Sequence, residues 1–211
     1  MEKRGLILGV DFDNTVVSYD DIMHETAVQF GLIQPHVKKS KKEIRDTIRQ
    51  QPDGERRWQK VQTFVYGRGM LQAVLIEGVS DFFNACRKSR IRVYIISHKT
   101  SCAANGEEGV DFRQTAKTWM KENGFFDKDR LGLPPDHLYF ASTRQEKIGR
   151  IQELGCTHFI DDLEETFLEP SFPWNVEKIL YSPHRHPSAL SDVKAFASWW
   201  QIHEYFFGKD R

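Results

Sequence analysis

Near the start of the chain lies the run Leu6-Ile7-Leu8-Gly9-Val10-Asp11-Phe12-Asp13-Asn14-Thr15, and the rest of the sequence organises itself around it. Leu6–Val10 is apolar throughout, then gives way to two acids at i and i+2, an amide and a hydroxyl. A short apolar run bounded by turn-forming residues predicts a strand buried on both faces, as in a parallel sheet. Asp11 and Asp13 then fall just past its carboxyl end, the edge at which open parallel sheets bind ligands.

Outward from this run the pattern repeats. Ile91–Ile96, His137–Phe140, Thr157–Ile160 and Lys178–Tyr181 predict further strands. Helical periodicity falls between them, at about Gly78–Ser89, Asp111–Asn123, Thr143–Leu154 and Ser188–Phe206. Asn123-Gly124 and Gly155 supply helix stops, and Ser188 or Ser191 supplies a start for the last helix. In that helix Phe196, Trp199, Trp200 and Phe206 read as a core-facing stripe, part of which could serve as an interface. The expected fold is α/β: a Rossmann-like parallel sheet of about five strands flanked by helices.

Residues 17–77 break the alternation. They read as helices near Tyr19–Phe30, Ser40–Gln51 and Gly54–Leu75, punctuated by Pro35 and the Pro52-Asp53-Gly54 turn. The expected organisation is therefore a core of residues 1–16 and 78–211, with a small helical insertion at 17–77.

Composition narrows the function classes. The chain has 211 residues, with 30 basic and 30 acidic side chains, so no global field draws it to nucleic acid or a membrane surface. Its apolar runs are far shorter than the roughly 20 residues a bilayer requires. Cys86, Cys102 and Cys156 are scattered and odd in number, which suits a reduced, cytoplasmic protein and small buried residues rather than a disulfide framework. Neither nucleic acid nor membrane is expected as a partner.

Polar residues gather at the predicted strand ends. Asp11-Phe12-Asp13-Asn14-Thr15 follows the first strand, Ser97-His98-Lys99-Thr100 the second, and Asp161-Asp162 the fourth. Lys147 sits on the helix behind His137–Phe140. Acids for a metal, a hydroxyl and a cation are what phosphoryl transfer needs. The run DFDNT at 11–15 resembles the first signature, DxDx[TV], of the haloacid dehalogenase superfamily. Ser97 matches its second signature, Lys147 its third, and Asp161-Asp162 its acidic fourth. The four appear in the family's order between residues 11 and 162.

That resemblance implies a mechanism. Asp11 would be the nucleophile that takes the phosphoryl group, and Asp13 the general acid and base. Ser97 and Lys147 would bind the phosphoryl oxygens, with the lysine also restraining Asp11. Mg²⁺ would be held by Asp11, by Asp161 or Asp162, and by the main-chain carbonyl of Asp13. Dehalogenases of the superfamily lack the second acid, so Asp13 points to hydrolysis of a phosphoester. Asn14 replaces a common glycine, an exchange that Asn tolerates because it enters the left-handed region readily.

Each residue has a structural alternative. Asp11 and Asp13 could cap or turn the chain, and Ser97 could be a loop hydroxyl. Lys117, Lys99 or Arg144 could replace Lys147. One of Asp161 and Asp162 could cap the next helix instead of facing a metal, and Glu165 is an outer-shell candidate. Asn14, Thr15, His98 and Lys99 are candidate substrate contacts, or simply line the loops. The insertion carries Lys38, Lys39, Lys41, Lys42, Arg45, Arg49, Arg56, Arg57, Lys60 and Arg68. A solvated helix face explains these before a polyanion site does, and packing explains Phe64, Tyr66 and Met70. His184-Arg185-His186 could bind an anion or a metal, or form an exposed turn. The expected function is Mg²⁺-dependent hydrolysis of a small phosphorylated substrate such as a sugar phosphate or nucleotide. A phosphomutase and a non-catalytic regulatory or assembly partner are the alternatives.

Overall fold

The computed structural model describes residues 5–101, 110–183, 188 and 190–208. Cys102 and His184-Arg185-His186 lie outside them. The described residues divide into two compact units. The first draws on Met1–Val16, Leu75–Lys99 and Lys121–Arg211, the second on Val17–Val74 and Thr100–Met120.

In the first unit six strands make one parallel sheet. They are β1 (Ile7–Val10), β4 (Arg92–His98), β5 (Leu138–Ala141), β6 (His158–Asp161), β7 (Glu177–Tyr181) and β8 (Val193–Phe196). Between them in the chain come β2 (Val17–Ser18) and β3 (Val74–Leu75), which pair with each other. The sheet order is β5-β4-β1-β6-β7-β8. β1 is thus central, with β4 and β6 as its two neighbours, and the succession of strands runs outward from it in opposite directions. An order of this kind opens a crevice at the carboxyl ends beside the central strand.

Helices cover the sheet as the periodicity predicts. In the first unit α4 (Val79–Lys88), α6 (Arg144–Glu153), the single-turn α7 (Glu164–Phe167) and α8 (Trp199–Phe207) flank it. Tyr94, Ile96, Ile148, Ile151, Phe159, Phe172 and Leu180 form one buried cluster, which joins α6 to the strands. α6 starts where Thr143 accepts a hydrogen bond from Glu146 N–H while Glu146 accepts from Ser142 N–H, a reciprocal cap. It ends before Gly155, whose φ of 64° is the left-handed stop that the sequence predicts. Cys86 and Cys156 are buried, and burial pushes the Cys156 thiol up to about 12, which makes it unreactive.

The helix expected over Ser188–Phe206 is instead a strand followed by a helix, and this strand is the sixth of the sheet. Val193–Phe196 pairs with β7 at the edge of the sheet, and Ser198, not Ser188 or Ser191, caps α8 through a bond from Gln201 N–H. Of the predicted stripe only Trp199 is fully buried, while Trp200 is 49% exposed.

The second unit holds α1 (Asp20–Gln29), α2 (Lys41–Arg49), α3 (Gly54–Tyr66) and α5 (Phe112–Glu122), the last running two residues past its boundary. The helix expected to reach Leu75 stops at Tyr66 and gives way at Gly67 to a 3-10 turn, Arg68–Gln72. Thr100–Met120, expected with the sheet, groups instead with the insertion. Trp119 Nε1–H donates to Ala73 O at 2.9 Å, and Phe112 meets Tyr66 edge-on. Phe64 packs against Phe30, while Tyr66 and Met70 pack on Tyr19; Met70 is buried, and Phe64 and Tyr66 are half-buried. Lys39 and Arg49 pair with Asp21 and Glu55 on exposed surface, and Arg45 with Asp46 where both are half-buried. Among the described residues no helix is long and apolar enough to cross a membrane.

The close approach of β6 to β1 demands a glycine. A Cβ built on Gly9 would lie 2.5 Å from the ring of Phe159, which is fully buried. Overpacking of a tight core typically costs about 1–3 kcal/mol. Gly9→Ala should therefore lose stability by about that amount in urea denaturation, and an unchanged midpoint would show that the ring yields freely.

Candidate active site

The register of the sheet brings the predicted acids together. β1 and β6 are adjacent, with Val10 beside Ile160, so their chains run out side by side into Asp11 and Asp161-Asp162. Asp11 N–H still donates to Ile160 O at 2.8 Å, which ties the first residue past β1 to its neighbour. The ladder bond matters because it fixes where the Asp11 side chain starts. Next, Asn14 adopts φ 59°, the left-handed turn that its side chain tolerates, and Val16 N–H returns to Phe12 O.

Lys147 is the centre of the group. Its ammonium donates to Asp11 Oδ1 and to Asp161 Oδ2, both at 2.7 Å, and all three side chains are buried. The ammonium also lies 5.2 Å from the centroid of the Phe159 ring. Burial alone would lower the lysine's proton affinity, but the two carboxylates outweigh it and hold the pKa above the ordinary range. Of the alternatives to Lys147, Arg144 pairs instead with Glu169.

Asp11 is pushed up to about 7, chiefly by burial and further by the charges of Asp161 and Asp13, against the pull of Lys147. Asp161 divides its oxygens, Oδ2 taking Lys147 and Oδ1 accepting from Leu163 N–H at 3.0 Å. Asp162 interacts with Thr15 twice: the threonine hydroxyl lies 3.2 Å from Asp162 Oδ1 and accepts from Asp162 N–H at 3.0 Å. Thr15 is itself fully buried, and its carbonyl accepts from Trp199 Nε1–H at 2.7 Å. Its hydroxyl thus braces the loop after β6 rather than standing open to a substrate.

One carboxylate oxygen from each of Asp11, Asp161 and Asp162 can be chosen so that all three lie within 4.8 Å of one another. Hard oxygen donors in such a group suit a small divalent cation. The local charge suits it too. Asp11, Asp13, Asp161 and Asp162 bring four carboxylates, against the ammonium groups of Lys147 and Lys99.

The remaining candidates occupy the end of β4. Ser97 is 1% exposed, and its Oγ has no hydrogen-bond partner among the described residues. His98 Nε2 lies 3.1 Å from Ser142 O, which holds the ring against the turn after β5. Lys99 Nζ donates to both oxygens of Asp13 at 2.8 Å. That pairing is the contact sequence reasoning missed. A lysine two residues past Ser97 and an acid two residues past Asp11 both stand in the sequence, but nothing local relates them.

The pH dependence of stability follows from Asp11. Without a bound cation, the folded protein holds this proton more tightly than an unfolded chain does, where the carboxyl titrates near 3.8. The contribution of Asp11 to stability is therefore complete below about pH 3.8 and lost as pH rises through about 7. In EDTA the urea midpoint should fall between about pH 5 and about pH 8, and fall less in Asp11→Asn. Equal falls in the two proteins would clear Asp11 as the source.

No protein-family model and no curated protein matches the sequence. Solved structures do match it in fold. The haloacid dehalogenase-like hydrolase SP0104 from Streptococcus pneumoniae is 17% identical, with a TM-score of 0.61 over 95% of this chain and 98% of that one. The magnesium-bound HAD-hydrolase YfnB from Bacillus subtilis is 11% identical, with a TM-score of 0.55 over 96% and 99% of the two chains. The L-2-haloacid dehalogenase RSc1362 is also 11% identical, with a TM-score of 0.53 over 95% and 97%. The chain thus shares its parallel-sheet fold with haloacid dehalogenase-like hydrolases.

Proposed function

We propose that the chain is a Mg²⁺-dependent phosphomonoester hydrolase that works through an aspartyl-phosphate on Asp11. The observation that carries this reading is the buried, unpartnered Ser97 Oγ at the end of β4, the strand next to the one that presents Asp11. A buried hydroxyl left without a partner costs about 1–3 kcal/mol, a cost relieved when a ligand oxygen accepts its proton. The non-bridging oxygens of a phosphoryl group are acceptors of that kind, and beside them lie a nucleophilic carboxylate and an ammonium.

Asp11 attacks phosphorus, and the bond to the leaving oxygen breaks as Asp13 gives that oxygen a proton. Water then attacks the aspartyl-phosphate, its proton goes to Asp13, and the bond between Asp11 and phosphorus breaks. Ser97 and Lys147 hold the non-bridging oxygens, where charge collects in the transition state. Lys147 also keeps Asp11 from turning away, since the same ammonium anchors it to Asp161. Asp11, Asp161 and Asp162 would hold the Mg²⁺, with the Asp13 carbonyl as the family resemblance implies. When bound, the ion neutralises charge shared by the carboxylates and the phosphoryl group.

The substrate class that suits this chemistry is a small phosphorylated metabolite, such as a sugar phosphate or nucleotide. A dehalogenase shares the fold, but it has no use for a second acid two residues beyond the nucleophile, and Asp13 occupies that place. Phosphate release from a panel of phosphomonoesters should be turned over with Mg²⁺, abolished by EDTA and lost in Asp11→Asn. Turnover that survives Asp11→Asn would overturn the assigned nucleophile. Folded, Mg²⁺-binding protein that releases no phosphate would favour a phosphomutase or a non-catalytic partner.

A further inference from the structure

Lys99 sits two residues beyond Ser97 and is only 5% exposed. Its main-chain N–H donates to Ala141 O at 2.9 Å, which anchors it to the end of β5. From there the side chain reaches to Asp13, where the ammonium meets Oδ1 and Oδ2 at 2.8 Å each. On the way it lies 5.8 Å from the centroid of the Phe12 ring, itself fully buried. Ordering a lysine side chain costs conformational entropy, so a buried lysine held in one place needs strong partners. Asp13 provides one.

We propose that Lys99 is a positioning residue: it fixes the Asp13 carboxylate in the orientation from which it exchanges protons with the leaving group and with water. This inference rests on the phosphatase reading. Three features carry it. Both oxygens of Asp13 are gripped, so rotation about the bond that carries the carboxylate is blocked. The Asp13 side chain is 18% exposed, against 7% for Asp11, so without the grip it would have room to swing toward solvent. Finally, Lys147 is already committed to Asp11 and Asp161, and cannot restrain Asp13 as well.

The proton balance is simple. In the first step Asp13 releases a proton to the leaving oxygen and keeps the electron pair, and the new negative charge faces the Lys99 ammonium. In the second, Asp13 takes a proton from the attacking water. Lys99 keeps its own protons throughout and forms no bond to phosphorus.

The test measures kcat/KM with Mg²⁺ on two esters. p-Nitrophenyl phosphate has a leaving group that departs without protonation, whereas glycerol 1-phosphate must lose an alkoxide. Lys99→Met should lose roughly 10²-fold or more on glycerol 1-phosphate and far less on p-nitrophenyl phosphate, as should Asp13→Asn. Lys99→Arg should recover part of the loss. The double variant Lys99→Met with Asp13→Asn should be no slower than Asp13→Asn alone, because the two act as one unit. Equal losses on both esters, or losses that multiply in the double variant, would overturn the inference and place Lys99 on the phosphoryl group or in the fold. Should Lys99→Met fail to fold, Lys99→Arg and the double variant, which removes both charges of the pair, carry the same comparison. A wild-type protein inactive on both esters would instead overturn the phosphatase reading, and the inference with it.

Discussion

The arrangement of this molecule depends on a single buried ammonium. Lys147 is buried away from solvent, and its charge is tolerable only because Asp11 and Asp161 each approach to 2.7 Å. The converse is as strict, since two carboxylates converging in a buried site repel one another unless a cation stands between them. Removing one partner of a buried ion pair typically costs about 3–5 kcal/mol, because the other charge is left without compensation. Three elements must therefore agree on one point in space: β1, which presents Asp11; β6, which ends in Asp161; and α6, which carries Lys147. The strand order supplies the agreement by placing β6 directly against β1, with α6 as the connection that enters β6.

Packing beneath the pair is adapted to the same end. The Phe159 ring lies under the ammonium and also presses on Gly9, where no side chain could fit without displacing it. The glycine in the middle of the central strand is thus tied to the chemistry by one intervening ring. Thr15 plays a comparable part on the acidic side: its hydroxyl joins the loop after β1 to the loop after β6, and Trp199 from α8 holds its carbonyl. Helix α8 in this way steadies the loop beside Asp11.

Much of this was legible in the sequence, for a physical reason. Strands buried on both faces must be continuously apolar, so Leu6–Val10 and Ile91–Ile96 announced themselves, and the polar residues just beyond them marked the functional edge. The edge strand Val193–Phe196 was hidden because its Lys194 and Ala195 face solvent and its apolar ends fit a helical stripe equally well. The allegiance of Thr100–Met120 was hidden because it is decided by non-local contacts, Trp119 with Ala73 and Phe112 with Tyr66. The Lys99–Asp13 pair was hidden for the same reason, since 86 residues separate its members.

That pair changes how the site is read. A group of four acids with one lysine would be a metal cradle and little else. On the proposed mechanism two acids, paired with different ammonium groups, divide the work by environment. Asp11 is the more deeply buried, is tied to the sheet by its main-chain N–H, and has one oxygen held by Lys147, which suits a nucleophile that must attack along one line. Asp13 lies two residues farther out and nearer solvent, held by a lysine just past the end of β4. A proton carrier has to meet both a departing oxygen and an incoming water, so partial exposure is an asset there and would be a fault at Asp11. On the proposed mechanism, the two ion pairs let neighbouring aspartates on one short loop take opposite roles.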